Sequence, residues 1–239
     1  MEVQRLTQAL LGLAILIVAG WLAYQVIDAA RGLGTEWEIL LGDPILIGDL
    51  EDPFAYAGGE SVRQLSGEGH IRLASDDVRG SARLTVVLDG AVVVLADGQA
   101  LNGVLSLQSD LGKGGIVQRE IFVHGETGSG ESGLPEAFAQ FLGMSSFDLR
   151  LDGQALQDGV RGTWTIAQAL RKDDGAIRNQ GLIFSPLLRD NTVFADPNQL
   201  EFTLLLYDPA ESDGGNVTLH LVFKHVEIVR SPAVTTPAE

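Results

Sequence analysis

The side chains here that could do chemistry are mostly carboxylates followed by glycine. Asp89-Gly90 and Asp97-Gly98 sit in the aliphatic run 83–98, and the same pair recurs at Asp152-Gly153, Asp158-Gly159, Asp174-Gly175 and Asp213-Gly214. Paired acids can exchange protons or hold calcium, but an aspartate before a glycine also suits the positive φ angles of a tight turn. Because glycine follows so many of these aspartates, the turn reading is the stronger one. The acid-rich stretches 75–77, 172–175 and 189–198 offer oxygen ligands without the spacing of a calcium loop. A calcium site is therefore an alternative, not the expectation.

The segment 128–133, GSGESG, spells G-x-G-x-x-G, and Asp152 follows at about the distance of a ribose-binding acid. The chemistry of its surroundings opposes a dinucleotide. Glu126 and Glu131 put negative charge where a pyrophosphate would lie. No β-α-β alternation surrounds the loop. An acidic linker is the better description.

The histidines, His70, His124, His220 and His225, have no H-x-H or H-x-x-x-H spacing. His220 and His225 lie an odd number of residues apart on one expected strand. They should face opposite sides unless a bulge intervenes. No G-x-S-x-G or S-x-x-K motif is present, and Ser129 and Ser132 in the glycine loop lack flanking glycines at both positions. No catalytic residue, cofactor site or metal set follows from these patterns, and the chain is not expected to be an enzyme. An extracytoplasmic hydrolase whose triad assembles from distant residues is kept as an alternative.

Composition narrows the partners. There are 32 Asp and Glu against 16 Lys and Arg, a formal charge of −16, and no cysteine. No basic stripe is available to displace counterions from a nucleic acid, so nucleic-acid binding is not expected. Without cysteine there are no disulfides, thiolate metal sites or cysteine nucleophiles.

One long apolar element must position whatever follows it. Residues 9–27 carry no charge, and a helix of that length spans roughly 28 Å, close to a hydrocarbon core. A single N-terminal transmembrane helix is expected there, after a short head at 1–8 and before a joint at 28–34. The run is longer than a signal-peptide core, which favours an uncleaved anchor. Trp21, Tyr24 and Trp37 are candidate membrane-interface residues. Gly12 and Gly20 share a helix face and could admit a neighbouring transmembrane helix, a role weighed evenly against a simple lipid-facing tether. The expected arrangement is N-terminus in the cytoplasm and the C-terminal domain outside, in the periplasm or extracellular space.

The remaining chain reads as a β-rich domain over 35–230 and a flexible tail at 231–239. Strands are expected in 84–95, 103–109, 115–125, 200–207 and 216–229, with Asp-Gly turns at 89–90 and 97–98. In the last strand the apolar parity changes near Lys224–His225, which predicts a bulge. The segment 162–184 reads as another hairpin, with a helix over 163–170 as its alternative. Residues 134–144, LPEAFAQFLGM, predict one short helix, with Pro135 in its first turn and Gly143 as its stop. The fold class is mainly β: sandwich-like, or two packed subdomains divided near 126–133. The expected function is a non-enzymatic accessory subunit of a larger membrane complex, with lipid around 9–27 and integral membrane proteins as partners. A stand-alone binding module for a glycan, calcium or a small ligand is the alternative, with Trp164 or Trp37 as sugar-stacking aromatics. Asn216-Val217-Thr218 is a glycosylation sequon, relevant only in a eukaryotic secretory route.

Overall fold

The computed structural model of the chain describes residues 35–47, 62–74, 80–94, 100–111, 116–125, 127–129, 134, 136–171, 195–207 and 217–232. The apolar segment 9–27, with Gly12, Gly20, Trp21 and Tyr24, lies outside the described residues. So do the Asp-Gly pairs at 174–175 and 213–214. Among the described residues no helix is long and apolar enough to cross a membrane.

Among the described residues ten strands follow one another: β1 (Thr35–Ile47), β2 (Val62–Gln64), β3 (Ser66–Leu73), β4 (Gly80–Val94), β5 (Ala100–Asp110), β6 (Ile116–Val123), β7 (Ala137–Leu151), β8 (Gln154–Ala169), β9 (Asp196–Tyr207) and β10 (Val217–Pro232). Every pairing is antiparallel, and β10 returns to β1. β2 and β3 lie along one edge of β1, and β5 and β6 lie along one edge of β7. The ten strands therefore fill eight positions round a single barrel-like sheet, each beside its neighbour in sequence. The sandwich and two-subdomain expectations give way to this one sheet. Closing the sheet satisfies strand edges that an open sandwich would leave unpaired. The loop at 126–133 joins β6 to β7, which pair with each other.

The inside is filled. Trp164, Phe147, Phe202 and Phe223 are fully buried, and one contiguous apolar cluster draws on β1, β3, β4, β5, β7, β8, β9 and β10. Trp164 stacks on Phe202 at 6.4 Å, and Phe202 meets Phe223 edge-on at 5.9 Å. Burial of this apolar area is the main force holding the barrel together.

Within the helix predicted at 134–144, residues 137–144 are instead the first half of β7. Alternate residues from Ala137 to Phe147 are buried, a period of two. Backbone groups of this half pair with β6 on one side and β8 on the other, which no helix could offer. Gly143 is not a helix stop. It pairs with Trp164, and a Cβ at this position would run into the indole. The ring thus lies flat over the glycine backbone, and its Nε1–H donates to Ser145 Oγ at 3.1 Å. The helical alternative for 163–170 also falls, because β8 covers Gln154–Ala169.

The Asp-Gly pairs divide into two roles. Asp152 (φ 50°) and Gly153 (φ 79°) form the two-residue turn between β7 and β8, as expected. Asp158-Gly159 and Asp89-Gly90 are irregularities within strands. The β7–β8 register shifts where Gly159 (φ 70°) donates its N–H to Asp148 Oδ1 at 2.9 Å. β4 continues through Asp89, and its register with β5 shifts between Leu88 and Val93. Asp97-Gly98 lies outside the described residues, between two strands that pair at Val94 and Ala100.

The expected parity change in β10 is present, and β1 shares it. Phe223 is in the core, while Val226 and Ile228 also pack against it. In β1, Trp37, Ile39 and Leu41 face inward, and then Leu46 does. Asp43, at φ 54°, stands at the switch. The β1–β10 register is the same on both sides of it, so the two strands change face together. β10 extends to Pro232, so residues 231 and 232 of the expected tail are strand.

Candidate functional site

Because the core fills the barrel, sites of contact must be sought on its outer wall. Along β3, β4, β5 and β7 the residues alternate between buried and solvent-facing, and the solvent-facing ones are mostly polar, with Val87, Val104 and Met144 as exposed apolar exceptions. There they form an open cleft of about 450 Å³ lined by His70, Arg72, Ser81, Arg83, Gln108, Ser109, Asp110 and Asp148. The ladder fixes their order. Arg72 pairs with Ser81, and Ser81 with Asp110. One row over, His70 pairs with Arg83, Arg83 with Gln108, and Gln108 with Asp148.

Several flanking groups are already engaged. His70 Nε2 lies 2.8 Å from Glu38 Oε1. Asp148 accepts from Gly159 N–H, and Ser109 Oγ donates to the Ser146 carbonyl at 2.6 Å. Arg72 and Arg83 are exposed, and neither makes an ion pair with a described residue.

A buried charged group that the sequence reading missed lies where β9 and β10 part. Their pairing ends at Phe202 and Phe223, and the next residues are Glu201 and Lys224. Glu201 is only 3% exposed and accepts the backbone N–H of Arg171, also buried, at 3.2 Å. Burial pushes its carboxyl above the usual range, while the charge of Arg171, backbone hydrogen bonds and Lys224 pull the other way. A lone acid in LEFTLLLY was the available signal: Glu201 has the parity of Thr203 and Leu205, opposite the inward Phe202 and Leu204. Its depth makes it a structural charge in the outer layer, not a group offered to a substrate.

The other expected residues are dispersed. Trp37, expected at the membrane interface, is 6% exposed and belongs to the barrel core. Its ring stands edge-on to Phe141 at 5.7 Å, and the Arg119 guanidinium lies 4.1 Å over its face. That cation–π contact occupies the side a headgroup layer or sugar would need. Trp164 is buried as well, so neither tryptophan can serve as the exposed aromatic of a glycan platform.

His220 is buried on β10 and His225 is exposed beside Gly42, and the parity change between them puts both on the outer face of the sheet. His124 and Thr127 close the glycine loop on itself: His124 N–H donates to the Ser129 carbonyl, and Thr127 Oγ1 donates to the His124 carbonyl. A strand, not a helix, follows that loop, which removes the dinucleotide geometry. Asp152, the would-be ribose ligand, instead accepts Val104 N–H at 3.0 Å and fills the space over Gly103. Among the described residues no three His, Asp or Glu side chains are grouped to hold a metal.

Comparison with protein-family models, with curated proteins and with solved structures finds no match to this chain.

Proposed function

We propose that the chain is a non-enzymatic, membrane-anchored accessory subunit of a larger membrane complex, acting through the outside of its barrel and through an anchor at residues 9–27. The observation that carries this reading is the division of labour in the barrel. Its interior is a single packed apolar cluster, while an open polar cleft lies on the wall of β3, β4, β5 and β7. A filled barrel is a scaffold, and recognition falls to its surface. The proposed anchor would connect through 28–34 to Thr35, which is held in the sheet opposite Pro232. Tethering would confine the search for partners to the bilayer plane. Gly12 and Gly20 would let the anchor pack against partner helices, and the domain would stand outside the cytoplasm.

The test is extraction from the native source in mild detergent, native-gel separation and mass spectrometry of the co-migrating chains. A stoichiometric set of membrane partners is expected. Migration alone, as monomer or homo-oligomer, would sink the reading.

A further inference from the structure

Apolar cross-strand pairs reach solvent at both ends of the barrel's outer surface. Phe122 on β6 pairs with Phe138 on β7, and their rings meet edge-on at 5.4 Å. Phe122 is 47% exposed. Val87 on β4 pairs with Val104 on β5, and both are exposed. The antiparallel ladder shows which end is which. β1 and β7 run in the same direction, because β10, β9 and β8 lie between them and each pairing reverses the chain. The start of β1 at Thr35 and the start of β7 at Ala137 therefore share one end, and β6 finishes there at Val123. The ring contacts agree. Trp37, two residues after Thr35, meets Phe141, three residues after Phe138, and Arg119, three residues before Phe122, lies over its face. The valine pair lies at the other end, where the Val104 carbonyl accepts the N–H of Asp152 in the β7–β8 turn. From Phe138 to Leu151, the neighbour of Leu105, β7 runs about 43 Å along its length.

The chain enters the barrel at Thr35, directly after the joint at 28–34 that would lead from the anchor proposed at 9–27. A joint of that length reaches at most about 25 Å, so the phenylalanine end is the one held beside the bilayer. We propose that Phe122 and Phe138 dip into the headgroup layer of a zwitterionic membrane and set the barrel end-on to it. The inference rests on the anchored reading for the nearby bilayer, and on the ladder for the residues that meet it. Two clustered phenyl rings gain by leaving water, and aromatic side chains on a surface element are suited to the boundary between headgroups and acyl chains. Charge selects the lipid. The chain carries a net −16, and Glu120 and Glu136 stand two residues from the phenylalanines, so anionic headgroups are repelled.

A chain without cysteine allows a clean test by site-specific labelling. Single-cysteine variants of the full chain carry an environment-sensitive fluorophore and are placed in phosphatidylcholine nanodiscs that contain a lipid with a nitroxide on its headgroup. The labelled positions are Gln140→Cys, two residues beyond Phe138 on the same outward side, Met144→Cys further along β7, and Val104→Cys at the far end. The label at 140 is expected to shift to the blue and lose most of its emission to the nitroxide. The label at 144 should lose little, and the label at 104 none. Adding Phe122→Ser/Phe138→Ser should abolish the quenching at 140, with the circular dichroism spectrum unchanged and the chain still in the discs. Phosphatidylserine added to the discs should weaken the quenching, because the acidic end is pushed away. Equal quenching at 140 and 104, which a barrel lying on its side would give, overturns the proposal. So does an unquenched label at 140, or quenching that survives the phenylalanine changes. In each of these cases incorporation into the discs leaves the anchored reading standing. A chain that does not enter the discs removes the anchor and the contact together.

Discussion

On the wall of β3, β4, β5 and β7 the outward side chains include Arg72, Ser81, Arg83, Gln108, Asp110, Asp148 and Arg150, and solvent reaches nearly all of them. On the wall of β8, β9, β10 and β1, the outward Ala167, Glu201, His220, Val222, Ile45 and Ile47 are buried. Ile45, Ile47 and Val222 form an apolar cluster of their own outside the barrel core. The same kind of sheet thus has one wall that is covered on both faces around Ile45, Val222 and Glu201, and one covered only from within. The covered wall behaves as a second layer of core, where a polar group such as Glu201 needs Arg171 to be tolerated. The open wall can carry separated charges at little cost, because water screens them. That is why the candidate site lies there.

The sharpest way to break this comparison uses one strand. Ile45→Ala, outward but buried, should cost about 2–5 kcal/mol. Leu40→Ala on the same strand β1, outward and 42% exposed, should stay within about 0.5 kcal/mol. Urea unfolding of both variants checks the pair, and equal effects would mean that the outer-face burial of Ile45 adds nothing to stability.

Next in size is Gly143→Ala. The added methyl must displace the Trp164 ring, a cost of about 1–3 kcal/mol for an overpacked core. A changed near-ultraviolet circular dichroism spectrum should accompany the lower unfolding midpoint.

Glu201→Gln probes the charge in the covered wall through pH. The carboxyl is raised in the folded chain, so the folded state holds the proton more tightly than the unfolded state does. Its contribution to stability is full below the usual value of about 4.5 and declines as pH rises through the folded-state value. The unaltered protein should therefore lose stability relative to Glu201→Gln as pH rises above about 4.5. Unfolding midpoints measured across that range should show the difference narrowing or changing sign, and a parallel offset would contradict the raised carboxyl.

The smallest effect belongs to the open wall. Arg83→Gln should change stability by no more than about 0.5 kcal/mol, since the guanidinium pairs with no described residue. A larger loss in the same urea titration would mean that Arg83 supports the fold.

The difference between the walls was partly visible in the chain itself. HIRL, SARLTVVL and FDLRL alternate, as strands with one wet face do, whereas PILI and LHLVF are nearly unbroken apolar runs. The β-rich class, the last hairpin, the parity change in β10 and the turn at Asp152-Gly153 all follow from such local signals. The helix forecast for 134–144 failed because Leu134, Phe138 and Phe141 also fit a helical period. Only the partners β6 and β8 select the strand, and only the ring of Trp164 explains why position 143 must be glycine. Asp158-Gly159 has the same spelling as Asp152-Gly153, yet one is a bulge and the other a turn, because strand pairing on either side decides which.

By itself, the sequence determined that the domain would be built mainly of strands and that it would be acidic and free of cysteine. These are properties of composition and of period along the chain, and they need no knowledge of neighbours. The tertiary structure alone decided that the strands close into one filled barrel, that Trp37 and Trp164 are core residues, and that Glu201 meets Arg171. It also decided that Arg72, Ser81 and Asp110 stand side by side on three neighbouring strands, as Arg83, Gln108 and Asp148 do. Each of these depends on register between segments distant in sequence, which is set by the global closure of the sheet and not by any local preference.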